Sequence, residues 1–171
     1  MCLEAGKNWE EGFCDGLVKS AYFVCLLSRG AINSPDKSWQ NFSKLEKTSK
    51  CDNVLLEWRL ALELQDRGMI EGVYPVFIGD MDESGVYSNY FRSGCHPSPL
   101  ADCTVDSVES KLAEHLDRQA LGQPYRSGDS VGVKATAGLI TANQGGFLEG
   151  VGREAVQEIS LKVLDMINAK R

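Results

Sequence analysis

The sequence lacks the features of a membrane-spanning chain and of a typical nucleic-acid-binding chain. No apolar run reaches the roughly 18 residues that a membrane span needs, and residues 1–4 lack the basic region and apolar core of a signal peptide. Lys and Arg number 18 against 24 Asp and Glu, so the net charge is −6 and no basic face is visible. We therefore expect neither a membrane span nor a nucleic-acid partner.

Paired cysteines are also lacking. The six cysteines are scattered and include no C-x-x-C pair, which fits a reducing, cytoplasmic setting. Cys25 lies inside an apolar run and is interpreted as a small buried hydrophobe. Cys95, His96 and Cys103 have no recognised zinc-ligand spacing, so ordinary loop residues are favoured over a metal site.

What is present is the composition of a globular protein, with 171 residues of which 43% are hydrophobic. Two short apolar runs, residues 21–27 and 73–78, do not alternate with polar residues, which is typical of strands buried on both faces of a parallel sheet. Pro75 argues against a central position for the second strand. Helices are predicted before each run, at residues 8–20 and 53–67. This order predicts an α/β fold with a parallel sheet and flanking helices.

The second half of the chain is expected to be mainly helical. Helices are predicted at residues 104–121, 129–143 and 152–170, with a loop at 144–147 and irregular structure over 81–103. Only two strands are visible, although a stable sheet needs three or more. Either a strand is hidden in the second half, or the sheet is incomplete at the N-terminus.

Glu57 is the most unusual candidate for chemistry. It lies one turn into the helix predicted at 53–67, and it shares a helical stripe with Leu60, Ala61 and Leu64. Ligands of parallel sheets bind at the carboxyl ends of the strands, where this helix begins. Glu57 is therefore either a functional carboxylate or a glutamate favoured near a helix N-terminus by about 0.3–1 kcal/mol. Glu63 lies on another face and is expected to be solvated.

Other polar features have two interpretations each. Gly6, before the first helix, exposes backbone N–H groups that could meet a phosphate, although a plain turn is the simpler interpretation. Trp9 could stack on a base, or it could pack on the helix face. His96 and His115 have no nucleophile near them in sequence, and we expect both on the surface.

A set of short motifs occurs in a fixed order along the chain: Glu4-Ala5-Gly6-Lys7, Phe23-Val24, Leu27-Ser28, Gly30-Ala31-Ile32, Cys51-Asp52, Glu57 and Pro75-Val76. This order resembles that of Toll/interleukin-1 receptor (TIR) domains, and most of all the NAD-cleaving kind. The resemblance implies a flavodoxin-like fold. It also implies hydrolysis of NAD, as substrate rather than cofactor, to nicotinamide and ADP-ribose products.

The resemblance assigns roles to individual residues. Glu57 falls on the family's catalytic glutamate. Gly6, Lys7 and Trp9 fall in the loop and helix start that contribute to the substrate cleft and to assembly. Ser28 and Gly30 fall at the end of a strand that lines the cleft. As partners, the resemblance implies other TIR domains and self-association into a homo-oligomer.

Two departures from the family pattern accompany these matches. The family often has Trp four residues before the glutamate, where this chain has Asn53. The family domain also has two strands before the loop at Gly6, so we expect a sheet that is incomplete at the N-terminus. The resulting division is a TIR-like domain over residues 1–103 and a helical extension over 104–171.

Three functional hypotheses follow from the sequence. The first is an NAD hydrolase that uses Glu57. The second is a TIR interaction module without chemistry, which Asn53 and the expected gap in the sheet favour. The third is an unrelated nucleotide-binding parallel-sheet domain, which the lack of a G-x-G-x-x-G or P-loop sequence disfavours.

Overall fold

A computed structural model describes residues 9–28, 32, 42–81, 83–85, 87–88, 100–126, 131–143, 145–148 and 153–169. The elements in chain order are α1 (Trp9–Val18), β1 (Tyr22–Leu27), a 3₁₀-helix (Phe42–Lys44), α2 (Asn53–Asp66), β2 (Gly72–Ile78), β3 (Asp80–Met81), β4 (Tyr87–Ser88), α3 (Asp106–Arg118), α4 (Val133–Ala142), β5 (Gly146–Leu148) and α5 (Arg153–Ala169). Within these ranges, no helix has both the length and the apolar character needed to cross a membrane.

The main sheet is parallel and has the strand order β1-β2-β5. Strands β1 and β2 pair along their length, from Tyr22 opposite Gly72 to Leu27 opposite Phe77. Strand β5 pairs with the last three residues of β2. The α/β class and the parallel pairing are thus confirmed, whereas the flavodoxin-like arrangement stays a prediction. The loop predicted at 144–147 is wrong, because β5 begins within it and supplies the strand hidden in the second half.

Helix α2 is the centre of the hydrophobic core. The Asp52 carboxylate caps it by accepting the N–H of Leu55 at 2.9 Å, and Gly68, at a positive φ of 67°, follows its end. Trp58 is almost fully buried and meets Phe42 edge-to-face, with ring centroids 5.0 Å apart. Helices α1, α3 and α4 all contact α2. The predicted bounds of this helix are correct to within one residue.

The two faces of the sheet are covered unequally. Phe23, Cys25 and Leu27 of β1 point into the core around α2. On the opposite face, α5 covers β2, where Ile159 packs against Tyr74 and Val76. Val24 and Leu26 of β1 point to this second face, and they are 40% and 56% exposed. The prediction that residues 21–27 are buried on both faces is therefore wrong for one face, because α5 covers β2 and leaves these two side chains exposed.

The core crosses the predicted domain boundary at residues 103/104. Val108, Leu112 and Leu116 of α3 and Ile140 of α4 belong to the same buried cluster as the leucines of α2. Strand β5 also pairs with β2 across this boundary. The helices of the predicted extension thus share one core with the preceding residues, and the division into a family domain and an extension stays a prediction.

Gly145, just before β5, allows the close approach of β5 to β2. A Cβ at this position would collide with the backbone carbonyl oxygen of Pro75. We expect Gly145→Ala to lower the free energy of unfolding by about 1–3 kcal/mol, because the strand must shift. The matched control is Gly138→Ala inside α4, where an added Cβ meets nothing within 4 Å. This control should gain about 0.5–1 kcal/mol. Urea unfolding measures both, and equal stabilities of the two variants would contradict the packing described here.

Candidate functional site around Glu57

Glu57 lies one turn into α2, and its side chain is only partly exposed. Among the residues that the structure describes, none donates a hydrogen bond to its carboxylate and none forms an ion pair with it. A half-buried carboxylate that lacks such partners is disfavoured in its charged form. This distinguishes Glu57 from the other carboxylates that α2 carries.

The electrostatic state of Glu57 follows from this setting. Burial, with a smaller contribution from the negative charge of Asp52, raises the pKa of Glu57 from 4.5 to about 7. Both protonation states are therefore populated near neutral pH. A carboxyl group in this state can exchange a proton at neutral pH, which an ordinary surface glutamate does poorly.

Two thiols lie close enough to Glu57 to sense its charge. Burial, followed by nearby carboxylates that include Glu57, raises the pKa of Cys14 in α1 to about 12. The pKa of Cys25 in β1 is also raised to about 12, again first by burial. Glu57 therefore faces the junction of α1, β1 and α2. Both thiols stay protonated at neutral pH and are poor nucleophiles.

The cations on neighbouring helix α3 are engaged by other carboxylates. The pairs are Lys111 with Glu10 at 2.6 Å, His115 with Glu10 at 3.2 Å, and Arg118 with Glu11 at 3.1 Å and with Glu114 at 2.7 Å. Burial alone would raise the pKa of Glu10, but hydrogen bonds from Lys111 and His115 lower it below its usual value. His115 is thus buried against Glu10, and the prediction that it lies on the surface is wrong.

The structure describes three of the six predicted site residues. Glu57 is in α2, Ser28 directly follows β1 at its carboxyl end, and Trp9 is the first residue of α1. Ser28 and the start of α2 lie at the same edge of the sheet, as expected for a helix that follows a strand. Gly6, Lys7 and Gly30 lie outside the described residues, as do Cys95 and His96. In the part of the chain that the structure describes, no group of three or more His, Cys, Asp and Glu residues could hold a metal ion.

Sequence reasoning missed the ion pair between Glu63 and Arg67. Glu63 is fully buried, so the prediction that it is solvated is wrong. Its Oε1 accepts hydrogen bonds from Arg67 Nη2 at 2.9 Å and from the backbone N–H of Tyr125. Arg67 also donates to the carbonyls of Leu121 and Gln123, and its guanidinium lies 4.1 Å from the centre of the Tyr125 ring. The i, i+4 spacing of Glu63 and Arg67 was a visible signal for this pair.

A separate cleft of about 300 Å³ is lined, among the described residues, by Asp102, Cys103, Thr104 and Gly132. Neither Ser28 nor Glu57 lines it. The Cys103 thiol donates to the Leu45 carbonyl at 3.5 Å, and burial raises its pKa. None of these four residues is therefore an activated nucleophile.

Comparisons of this chain with protein-family models, with curated proteins and with solved structures find no match. The TIR resemblance therefore depends on the sequence motifs alone and stays a prediction.

Proposed function

We propose that this chain is a TIR-type signalling protein of the cytoplasm that cleaves the nicotinamide–ribose bond of NAD, with Glu57 as the catalytic carboxylate. One observation carries the proposal. Glu57 is half-buried, has no cationic partner among the described residues, and lies in the first turns of a helix that begins at the ligand edge of a parallel sheet.

The charge on the substrate fits such a carboxylate. The nicotinamide ring of NAD is cationic, and cleavage of its bond to ribose builds positive charge on the ribose carbon C1′. An unpartnered carboxylate stabilises both cations, and it does so more strongly as C1′ becomes charged. Binding of a cationic ring next to Glu57 would in turn lower the pKa of Glu57 from about 7 and favour the ionised form.

The proposed reaction needs one carboxylate. The bond between C1′ and the ring nitrogen breaks, and its electron pair goes to nicotinamide, which leaves as a neutral molecule without needing a proton. Water then adds to C1′ and forms the new C–O bond of ADP-ribose. The ionised Glu57 carboxylate accepts the proton that this water loses and releases it to solvent. In this scheme Ser28, Gly30, Gly6, Lys7 and Trp9 line or border the cleft, as the resemblance implies.

The test is nicotinamide release from NAD by the purified protein. We expect Glu57→Gln to lower the rate by about 100-fold or more, because the variant keeps the shape of the side chain and loses its charge and its basicity. The control is Glu114→Gln, whose carboxylate is 62% exposed and pairs with Arg118. It should keep the wild-type rate. Equal rates for wild type and Glu57→Gln would overturn the proposal, as would no release under crowding conditions that favour assembly.

A second candidate function is a TIR interaction module that self-associates or pairs with other TIR domains and performs no chemistry. The exposed Val24 and Leu26 on one face of β1 favour it, because apolar side chains that lie together on an exposed sheet face are typical of interaction surfaces. Light scattering on the same samples separates the two functions. Concentration-dependent association without turnover supports the module, and a strictly monomeric protein argues against it.

A further inference from the structure

Asp52 holds the first turn of α2 in place. Its carboxylate accepts the N–H of Leu55 at 2.9 Å, and its backbone carbonyl accepts the N–H of Leu56 at 3.0 Å. Its own backbone is extended, with φ −86° and ψ 125°, as is usual for a residue just before a helix. The backbone position of Glu57, immediately after Leu56, therefore depends on this cap.

Asp52 also adds a negative charge where Glu57 already lacks a counter-ion. Among the described residues, the negative charge of Asp52 is the one influence besides burial that raises the pKa of Glu57. In the part of the chain that the structure describes, the groups near this region are the thiols of Cys14 in α1, Cys25 in β1 and Cys51, together with Lys111 and Arg118 of α3, which are held by Glu10 and by Glu11 and Glu114. None of them supplies a free positive charge to offset the repulsion between the two carboxylates.

The capping hydrogen bond does not require a charged side chain at this position. Asn caps helices about as well as Asp, because its side-chain oxygen accepts the same N–H bond. An Asn would also remove the repulsion with Glu57. The charge of Asp52 thus acts against the ionised form of Glu57, which is the state that an ordinary surface carboxylate adopts at neutral pH.

We propose that Asp52 is a positioning residue for Glu57: its cap fixes the helical turn that carries the Glu57 carboxyl, and its carboxylate places a like charge at the start of that turn. This inference rests on the proposed function for its catalytic meaning. The coupling between the two carboxyl groups is a property of the folded protein, and it can be measured whether or not NAD is cleaved.

Two substitutions separate the cap from the charge. Asp52→Asn keeps the capping oxygen and removes the charge, whereas Asp52→Ala removes both. We expect Asp52→Asn to lower the pKa of Glu57 by roughly half a unit to one unit, because one like charge is lost. The urea midpoint should stay close to that of the wild type. Asp52→Ala should lower the pKa of Glu57 and also lower the urea midpoint, because the cap is lost.

The pKa of Glu57 is read by NMR titration of ¹³C-labelled glutamate carboxyl groups, with Glu57→Gln identifying the signal. The matched control is Asp66→Asn at the other end of α2, where the carboxylate pairs with Arg126 at 2.6 Å. This control should leave the titration of Glu57 unchanged. If the protein cleaves NAD, the acidic limb of the plot of kcat/KM against pH should move to lower pH in Asp52→Asn, by the same amount as the pKa of Glu57.

An unchanged Glu57 titration in Asp52→Asn would overturn the inference. If Asp52→Asn does not fold, Asp52→Ser also keeps a capping oxygen and removes the charge. The pKa of Glu57 should then fall by the same amount as expected for Asp52→Asn, and an unchanged titration would again overturn the inference. If Asp52→Asn lowers the pKa of Glu57 but the wild type does not cleave NAD, the proposed function is overturned and the coupling between the two carboxyl groups is supported.

Discussion

Replacement of Glu63 by alanine is expected to lower the free energy of unfolding by about 3–5 kcal/mol. Glu63 and Arg67 are 0% and 8% exposed, and the carboxylate accepts hydrogen bonds from Arg67 and from the Tyr125 backbone. The substitution leaves the Arg67 guanidinium buried without its counter-ion, and it leaves the Tyr125 N–H without its acceptor. Urea unfolding at neutral pH, monitored by tryptophan fluorescence, gives the free energy.

The chain offers a matched control for this substitution. Glu158 and Lys162 of α5 have the same i, i+4 spacing, but their side chains are 63% and 48% exposed. Glu158→Ala should change the stability by no more than about 0.5 kcal/mol, since exposed pairs of this kind contribute little. The contrast therefore isolates burial from spacing. Similar losses in Glu63→Ala and Glu158→Ala would show that the pair at Glu63 is not buried as described.

Elements whose signals are local were predictable from the sequence. Helix α2 has a capping Asp52 before it, Gly68 after it and apolar residues through it, and its bounds were predicted to within one residue. The short apolar runs that became β1 and β2 indicated parallel strands, and the pairing confirms this. In each case the residues that specify the helix or strand lie within it or directly beside it in sequence.

Strand β5 shows where local signals fail. Its surroundings, Gln144-Gly145-Gly146-Phe147, have the composition of a turn. The strand forms because glycine lets the chain approach β2 closely, a long-range reason that composition does not report. Pro75 is tolerated in β2, the central strand of the three, because the pairing between β2 and β5 starts at Val76 and leaves Pro75 just outside it.

The burial of acidic side chains was predictable only in part. A carboxylate on an apolar helical stripe marked Glu57 as unusual, and its side chain is half-buried, whereas its role as a site residue stays a prediction. The same reasoning failed for Glu63 and His115, which were expected to be solvated. Glu63 has one partner that the sequence makes visible, Arg67 at i+4, but Tyr125 and the Glu10 partner of His115 lie 62 and 105 residues away. These distant partners contribute to the burial, and the residues near Glu63 and His115 in sequence do not indicate them.

Replacement of Glu57 by glutamine is expected to stabilise the protein at alkaline pH and to have little effect at acidic pH. The pKa of Glu57 is about 7 in the folded protein and 4.5 in the reference state, so the folded state holds its proton more tightly. The contribution of Glu57 to stability is therefore fully present below pH 4.5 and is lost as the pH rises through 7. A glutamine has no proton to lose and avoids this penalty.

The expected gain of Glu57→Gln over the wild type is close to zero at pH 4 and about 2–3 kcal/mol at pH 8.5. Urea unfolding of both proteins across this range gives the difference, in which the titrations of all other groups largely cancel. Glu114→Gln, at an exposed carboxylate on α3, is the control and should change the stability by no more than about 0.5 kcal/mol. A flat difference for Glu57→Gln would mean that its carboxyl titrates as a surface glutamate does. A rising difference together with a loss of nicotinamide release would mean that the chain keeps a destabilising carboxylate because the reaction needs it.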